Sequence, residues 1–126
     1  MAKYKNRVHI YYIKVQTFRR TLELRIWGDK EYFDKEYSEL WFDYDLTSWF
    51  YYFDPENNCN IIWMRDYDLC TLAHELVHCV ENMCDQCWLE PKWEPIAYMY
   101  EELFGKIYNK IWKKLKIDNV TKKYLN

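Results

Sequence analysis

Apolar side chains recur at every second position along two segments near the start of the chain. Residues 7–15 show this alternation, and so do residues 22–27, which end at Gly28-Asp29. A period of two is typical of a β-strand with one buried face. We therefore expect two strands. A helix is the competing interpretation of the second segment, because apolar residues also recur there at a spacing of four.

Two apolar runs flank a turn in the middle of the chain. Residues 49–53 and 60–65 are rich in aromatic and apolar side chains, and residues 54–58 between them contain the turn formers Asp-Pro and Asn-Asn. This arrangement predicts a β-hairpin. Before the hairpin, residues 30–37 indicate a short charged helix.

The second half of the chain carries helical periodicity in two segments. The first runs from about 69 to 83, with Asp68 as its N-cap, because an Asp oxygen can accept from the free backbone N–H groups of a first turn. The second runs from about 95 to 117, where Pro95 suits the first helical position. Its apolar stripe has helical spacing and consists of Ile96, Tyr100, Leu103, Phe104, Ile107, Ile111 and Leu115.

These elements predict an α+β fold in a single domain that spans residues 1–126. A small, mostly antiparallel sheet from residues 1–66 packs against a helix within 68–84 and a long C-terminal helix within 95–118. Hydrophobic residues make up 50% of the chain and aromatic residues 21%. That content is enough to bury a core without disulfides or a structural metal.

Charge is balanced over the whole chain but not along it. A formal net charge of -2 gives no general attraction to nucleic acid or to an anionic membrane. From Lys106 onward the only acidic residue is Asp118, and the lysines are Lys106, Lys110, Lys113, Lys114, Lys116, Lys122 and Lys123. A solvated helix face explains them, because cations complement a helix C-terminus. Contact with phosphate or with an acidic partner is the alternative.

The sequence contains no segment typical of a membrane or secreted protein. Residues 1–7 lack the apolar core of a secretory signal, and no run approaches the roughly 20 apolar residues of a membrane span. The five cysteines are an odd number and indicate reduced thiols. We therefore expect a cytoplasmic protein, in the host cytoplasm if it is viral, with neither membrane nor nucleic acid as its partner.

The sequence His74-Glu75-Leu76-Val77-His78 lies inside the first helical segment. Histidines four positions apart project from one helix face, and this spacing lets two imidazole nitrogens bind one Zn²⁺ at about 2.0–2.1 Å. Glu75 can lie beside the open coordination position and accept a proton from water there. Two partly buried, hydrogen-bonded histidines without a metal are the competing interpretation.

A catalytic zinc needs a third protein ligand. The only other histidine is His9, so a carboxylate is the leading choice. Glu94 lies immediately before Pro95, far enough beyond His78 for the chain to turn back, and Glu90 is the second choice. The competing role for Glu94 is a favourable charge at the helix N-terminus.

Glu94 shares one helix face with Tyr98 and Glu101, according to their spacing. Tyr98 can donate a hydrogen bond to a developing oxyanion on that face. Glu101 can orient a ligand histidine, and Thr71, one turn before His74, is a second candidate for that role. A packed tyrosine and a solvated glutamate are the competing interpretations of Tyr98 and Glu101.

The cysteines offer a rival metal site. Cys84 and Cys87 have the C-x₂-C spacing of a zinc knuckle, but the chain has no second pair. Cys79 can join them only if the helix ends early. Reduced thiols are the simpler interpretation, and a cysteine nucleophile is the least favoured because both histidines are better explained as metal ligands.

Two segments together resemble a known family, namely Thr71-Leu72-Ala73-His74-Glu75-Leu76-Val77-His78 and Glu94-Pro95-Ile96-Ala97-Tyr98. They are similar to the small His-Glu-x-x-His metallopeptidases of bacteriophage and prophage genomes, which look like minimal relatives of the gluzincin peptidases. In that family a Thr-Leu pair commonly precedes the first histidine, and a later Glu-x-x-Ala-Tyr segment supplies the third ligand. The resemblance covers about residues 48–105, and the cysteines after His78 depart from it.

The resemblance implies zinc bound by His74, His78 and Glu94, with Glu75 as general base, and a viral source. We therefore expect a zinc-dependent hydrolase, a peptidase acting on a peptide or protein. If residues 60–65 form a sheet edge, an extended peptide can pair with it. The alternative is a non-catalytic metal-binding structural protein, such as a virion component within a larger viral assembly. A regulator that acts through the lysine-rich helix is a third hypothesis.

Overall fold

The fold is α+β, as the sequence predicts, with a four-stranded sheet and three α-helices. A computed structural model describes residues 8–16, 19–87 and 93–117. The strands are β1 (His9–Val15), β2 (Arg20–Ile26), β3 (Trp49–Asp54) and β4 (Cys59–Met64). The helices are α1 (Lys30–Tyr37), α2 (Leu69–Gln86) and α3 (Trp93–Ile111), with short 3₁₀ helices at Ser38–Leu40 and Tyr44–Leu46.

The two predicted N-terminal strands form an antiparallel pair. β1 and β2 are in register from His9 opposite Ile26 to Val15 opposite Arg20. Every second side chain of β2 is fully buried, at Leu22, Leu24 and Ile26. This period of two excludes the competing helix, whose buried positions would recur every three or four residues.

The predicted hairpin is also present, and it places β4 in the interior of the sheet. β3 and β4 pair antiparallel from Trp49 opposite Met64 to Asp54 opposite Cys59. On its other side, β4 pairs in parallel with β2, so the strand order is β1-β2-β4-β3. Residues 60–65 therefore do not form a sheet edge, so the condition for peptide pairing with them is not met, and β3 is the edge strand on this side.

An unbroken apolar run is the physical sign of that interior position. Asn60, Ile61, Ile62, Trp63 and Met64 are all buried, because both faces of β4 are covered. A strand buried on both faces shows no alternation of polar and apolar residues. β3, by contrast, is mostly half-buried and has an exposed Trp49.

The sheet separates two apolar clusters. On one face, α2 and α3 pack on β1, β2 and β4 through side chains such as Leu24, Ile62, Leu76 and Leu103. On the other face, α1 covers Phe50 and Trp63 with Phe33 and Tyr37. The first cluster fixes the position of α2, which carries the histidine pair.

The bounds of α2 confirm the predicted N-cap and extend the helix at its other end. The Asp68 side chain accepts from the backbone N–H of Thr71 at 2.9 Å, as an N-cap does. The helix continues to Gln86, and the backbone N–H of Cys87 bonds back to the carbonyl of Met83 at 3.1 Å.

The bounds of α3 differ from the prediction at both ends. The helix begins at Trp93, so Pro95 lies within its first turn, and it ends at Ile111 rather than near 117. After a turn, Lys116 pairs with the residues around the start of α2. Its backbone N–H donates to the Tyr67 carbonyl at 3.0 Å, and its carbonyl accepts from Leu69 at 2.8 Å. These long-range bonds replace the helical ones and stop the helix early.

In the part of the chain that the structure describes, no helix has both the length and the apolar character needed to cross a bilayer.

Candidate metal centre

The two histidines of the motif lie side by side on the exposed face of α2. His74 and His78 are both exposed, while Leu72, Leu76 and Val80 on the opposite face are buried in the core. The Nε2 atoms of the two rings are 3.2 Å apart. Burial of the apolar face therefore directs both imidazoles outward at helical spacing, with their outer nitrogens pointing at the same place.

Glu75 points in a different direction from the histidines. Its side chain is only 5% exposed, whereas that of His74 is 62% exposed. Glu75 Oε1 lies 4.0 Å from His74 Nε2. Burial raises the pKa of Glu75, and the charges of His74 and His78 only partly oppose this shift. The carboxylate is thus held at the base of the histidine pair, at the boundary between core and solvent.

The histidine pair fits two ligands of one metal ion. With zinc–nitrogen distances of about 2.0–2.1 Å and tetrahedral angles, two ligand nitrogens lie roughly 3.3 Å apart. The observed separation of 3.2 Å is close to this value. Without a metal, one ring donates to the other, which requires at least one neutral imidazole.

The third ligand is not assembled in the described residues. Nowhere in 8–16, 19–87 or 93–117 do three or more His, Cys, Asp or Glu side chains form a group that could hold a metal. Glu94 is exposed in the first turn of α3, and Glu90 lies outside the described residues. The structure therefore shows two adjacent imidazoles, and both metal binding and the identity of a third ligand stay predictions.

The start of α3 nevertheless lies beside the end of α2. Ile96, two residues after Glu94, lines one shallow pocket together with Glu81, Asn82 and Asp85. These α2 residues follow His78 along the helix. Glu94 thus lies in the first turn of a helix that meets α2 beyond the histidine pair rather than directly above it.

The other predicted site residues are placed without a hydrogen bond to the pair. Tyr98 is 61% exposed, and Glu101 is exposed. Among the described residues, neither they nor Glu94 hydrogen-bond to either histidine. Thr71 donates its hydroxyl to Asp68 Oδ2 at 2.5 Å, so it belongs to the N-cap of α2. Their catalytic and orienting roles stay predictions.

One contact at the site was not predicted from the sequence. The Tyr100 hydroxyl donates to the backbone carbonyl of Ala73 at 3.3 Å, so α3 is joined to α2 directly before His74. The sequence placed Tyr100 in the apolar stripe of α3, which its half-buried ring confirms. Helical periodicity predicts that the Tyr100 ring is buried, but it does not predict which carbonyl accepts a hydrogen bond from the hydroxyl.

Among the described residues, the cysteines do not form the rival metal site. All five are reduced thiols, and Cys79 and Cys84 are buried within α2. Cys84 Sγ contacts Met99 Sδ at 3.7 Å, and Cys87 Sγ accepts from Arg20 Nε at 3.2 Å. Because α2 does not end early, Cys79 is held in the core, and no metal-binding group that includes a cysteine occurs in the described residues.

No protein-family model, curated protein or solved structure matches this chain. Its function is therefore inferred from the geometry of the histidine pair and from the motifs in the sequence.

Proposed function

We propose that this protein is a zinc-dependent hydrolase, a peptidase that cleaves amide bonds in a peptide or protein. The observation that carries the proposal is the pair of imidazole nitrogens 3.2 Å apart on the exposed face of α2. His74 and His78 would hold the metal, and Glu94, with Glu90 as the second choice, would complete its ligands. The resemblance of the two motifs to phage metallopeptidases supports both the activity and a viral source.

The residues around the pair suit hydrolysis. A zinc ion bound there would supply Lewis acidity towards water and a substrate carbonyl. Glu75 would accept the proton of the attacking water and deliver it to the leaving nitrogen. Its burial, with a raised pKa, makes its carboxylate a stronger base than a solvated one. The exposure of both histidines leaves the site open to a substrate as large as a peptide.

Zinc content per chain, measured on purified protein offered the metal, tests the first half of the proposal. We expect about one zinc per chain for the native protein. His74→Ala should lose zinc, because only one of the two ligand imidazoles then remains. Glu94→Gln should weaken zinc binding if Glu94 is the third ligand. Glu31→Gln, which neutralises an exposed carboxylate on α1, is the matched control and should keep the metal.

Hydrolysis of a peptide library by the zinc-loaded protein tests the second half. Glu75→Gln should retain zinc and lose activity by about 100-fold or more, because the general base is removed while the ligands remain. Absence of zinc from the native protein would overturn the proposal. Equal activity of the native protein and Glu75→Gln would remove Glu75 from the reaction.

One observation favours a second candidate function. Large aromatic side chains such as Trp41 and Trp112 are exposed, and aromatic residues are enriched at protein–protein interfaces. This candidate is a non-catalytic metal-binding structural protein, such as a component of a viral particle. Zinc binding that depends on His74 and His78, without cleavage of any library peptide, would favour it over the hydrolase.

A further inference from the structure

Two exposed surfaces of this chain combine aromatic side chains with charges of opposite sign. The acidic aromatic surface comprises Trp41, Phe42 and Leu46 with Glu39, Asp43 and Asp45. The basic aromatic surface comprises Tyr108 and Trp112 with Lys113 and Lys114. Neither surface takes part in the histidine site, so an interaction through either one is independent of the proposed function.

The acidic aromatic surface exposes large apolar groups to an unusual degree. Trp41 is 97% exposed, Leu46 is 85% exposed and Phe42 is 40% exposed. Single exposed apolar residues are normal, but three within six consecutive residues are of the kind that marks an interaction site. Aromatic side chains are also enriched at protein–protein interfaces.

This surface is held in place by the core beneath it. The Phe42 ring stacks on the buried Phe50 ring with centroids 4.6 Å apart. The guanidinium of Arg65 donates to the carbonyl of Thr47 at 2.6 Å and also to that of Tyr44. Trp41 has a left-handed backbone with φ of 63°. These contacts fix the Phe42 ring and the backbone at Tyr44 and Thr47, so ordering on docking is confined mainly to the exposed side chains of Trp41 and Leu46.

Its charge is negative. Asp43 caps the 3₁₀ helix Tyr44–Leu46 by accepting from the backbone N–H of Asp45 at 3.0 Å. Glu39 lies two residues before Trp41. Asp45 pairs with Lys30 at 3.4 Å, but both side chains are more than half exposed, so solvent screens the pair. A partner for this surface should therefore present positive charge beside aromatic groups.

The last turns of α3 and the turn after them present that combination. Tyr108 is 45% exposed and stacks on Phe104 with centroids 5.8 Å apart, and Trp112 is 51% exposed. Lys113 Nζ lies 5.5 Å from the centre of the Trp112 ring. In the part of the chain that the structure describes, Lys113 and Lys114 form no ion pair. Lys122 and Lys123 lie outside that part.

We propose that copies of this chain associate head to tail, the acidic aromatic surface of one copy docking on the basic aromatic surface of the next. Opposite charges steer and orient the encounter, and the exposed rings supply the apolar area. The two surfaces are different patches of one chain, so the contact is heterologous and builds rings or open chains. In this contact, the lysines of the basic aromatic surface lie against the acidic residues of another copy of the same chain.

Sedimentation velocity over a range of concentrations, at low and at high salt, tests this association. We expect a mass above that of the monomer at high concentration and low salt, with affinity falling about tenfold or more at high salt because the steering charges are screened. Trp41→Asn removes the most exposed ring and keeps the left-handed backbone, which Asn tolerates. The doubly substituted Trp112→Ser, Lys113→Glu removes the exposed ring of the other surface and reverses the charge beside it.

Each variant should be a monomer alone, and an equal mixture of the two should form a complex of two chains. Each keeps one intact surface, so one contact forms and no further chain can add to it. Tyr12→Ser removes a ring that is 70% exposed on β1 outside both surfaces, and it should associate like the native protein. A native protein that stays monomeric throughout, or association that survives either variant, would overturn the proposal.

Discussion

The hydroxyl of Tyr100 donates to the backbone carbonyl of Ala73 at 3.3 Å, and this bond joins α3 to α2 at the residue that precedes His74. The ring of Tyr100 packs on the main core at the same time. The contact thus connects the packing of the two helices to the start of the histidine motif.

Loss of this bond should lower stability without disturbing the core. Tyr100→Phe keeps the ring and removes the hydroxyl, so we expect a loss of about 1 kcal/mol in the free energy of unfolding. Urea unfolding followed by circular dichroism measures it. Tyr108→Phe, which alters a tyrosine that is 45% exposed on the same helix, is the control and should leave the midpoint in place. A Tyr100→Phe midpoint equal to the native one would show that the bond contributes nothing.

Glu75 should oppose the stability of the fold that holds it. The residue is only 4% exposed, and its carboxylate lies 4.0 Å from the nearest imidazole nitrogen, too far for a hydrogen bond. Burial of a charge that is not closely paired is costly. Glu75→Gln keeps the size of the side chain and removes the charge, so we expect metal-free protein to gain up to about 1 kcal/mol of stability at neutral pH.

Thermal unfolding of the metal-free native protein and of Glu75→Gln compares the two directly. Glu81→Gln is the matched control on α2, because Glu81 is exposed and its charge is already solvated. A lower unfolding temperature for Glu75→Gln than for the native protein would mean that the carboxylate stabilises the helix rather than strains it.

The zinc content should not depend on the cysteine pair. Cys84 contacts Met99 in the core, and Cys87 accepts from Arg20, so neither thiol belongs to a group that holds a metal in the described part of the chain. Cys84→Ala combined with Cys87→Ser should therefore keep the zinc-to-chain ratio of the native protein, as elemental analysis can measure. Loss of zinc in this variant, with the fold intact by circular dichroism, would place the metal at the thiols instead.

Alkaline pH should destabilise the fold through Tyr37. Burial raises the pKa of Tyr37 above its ordinary value, and the opposing charge of Arg25 does not cancel this effect. The folded state therefore holds the phenolic proton more tightly than the unfolded chain, whose tyrosine pKa is about 10. The contribution to stability is complete below about pH 10 and is lost as pH rises further.

Guanidinium unfolding at several pH values between neutral and strongly alkaline follows this loss. Tyr37→Phe removes the 3.0 Å hydrogen bond that Arg25 Nη1 donates to the Tyr37 hydroxyl. The variant should therefore be less stable than the native protein at every pH. Its stability should nevertheless decline less steeply above about pH 10 than that of the native protein. Tyr12→Phe, at an exposed position, should decline like the native protein. Parallel curves for Tyr37→Phe and the native protein would exclude Tyr37 as the cause.

The sequence alone determined the local features of this protein. Helical spacing placed His74 and His78 on one face of α2 and Asp68 at its N-cap, because both depend only on the geometry of a single helix. Alternation predicted the first two strands, and turn residues predicted the hairpin, because each depends on neighbours along the chain. These features are all present in the structure.

The tertiary structure decided the relations between segments that are distant in the chain. The parallel pairing of β2 with β4 made β3 the edge strand. An apolar run such as 60–65 does not predict which strands pair with it, because the same pattern is found in any buried strand. The same applies to the end of α3, where Lys116 bonds to Tyr67 and Leu69. Long-range hydrogen bonds of this kind stop a helix whose own periodicity would continue.

The position of Glu94 was decided in the same way. Its spacing from His78 allows the chain to return, but the crossing of α3 over α2 sets where that carboxylate lies, and the crossing depends on the fit of Ile96, Met99 and Leu103 against the core. Sequence periodicity gives the buried face of a helix and not the place where two helices meet. The histidine pair was therefore predictable as a local unit, whereas its surroundings depended on packing between elements.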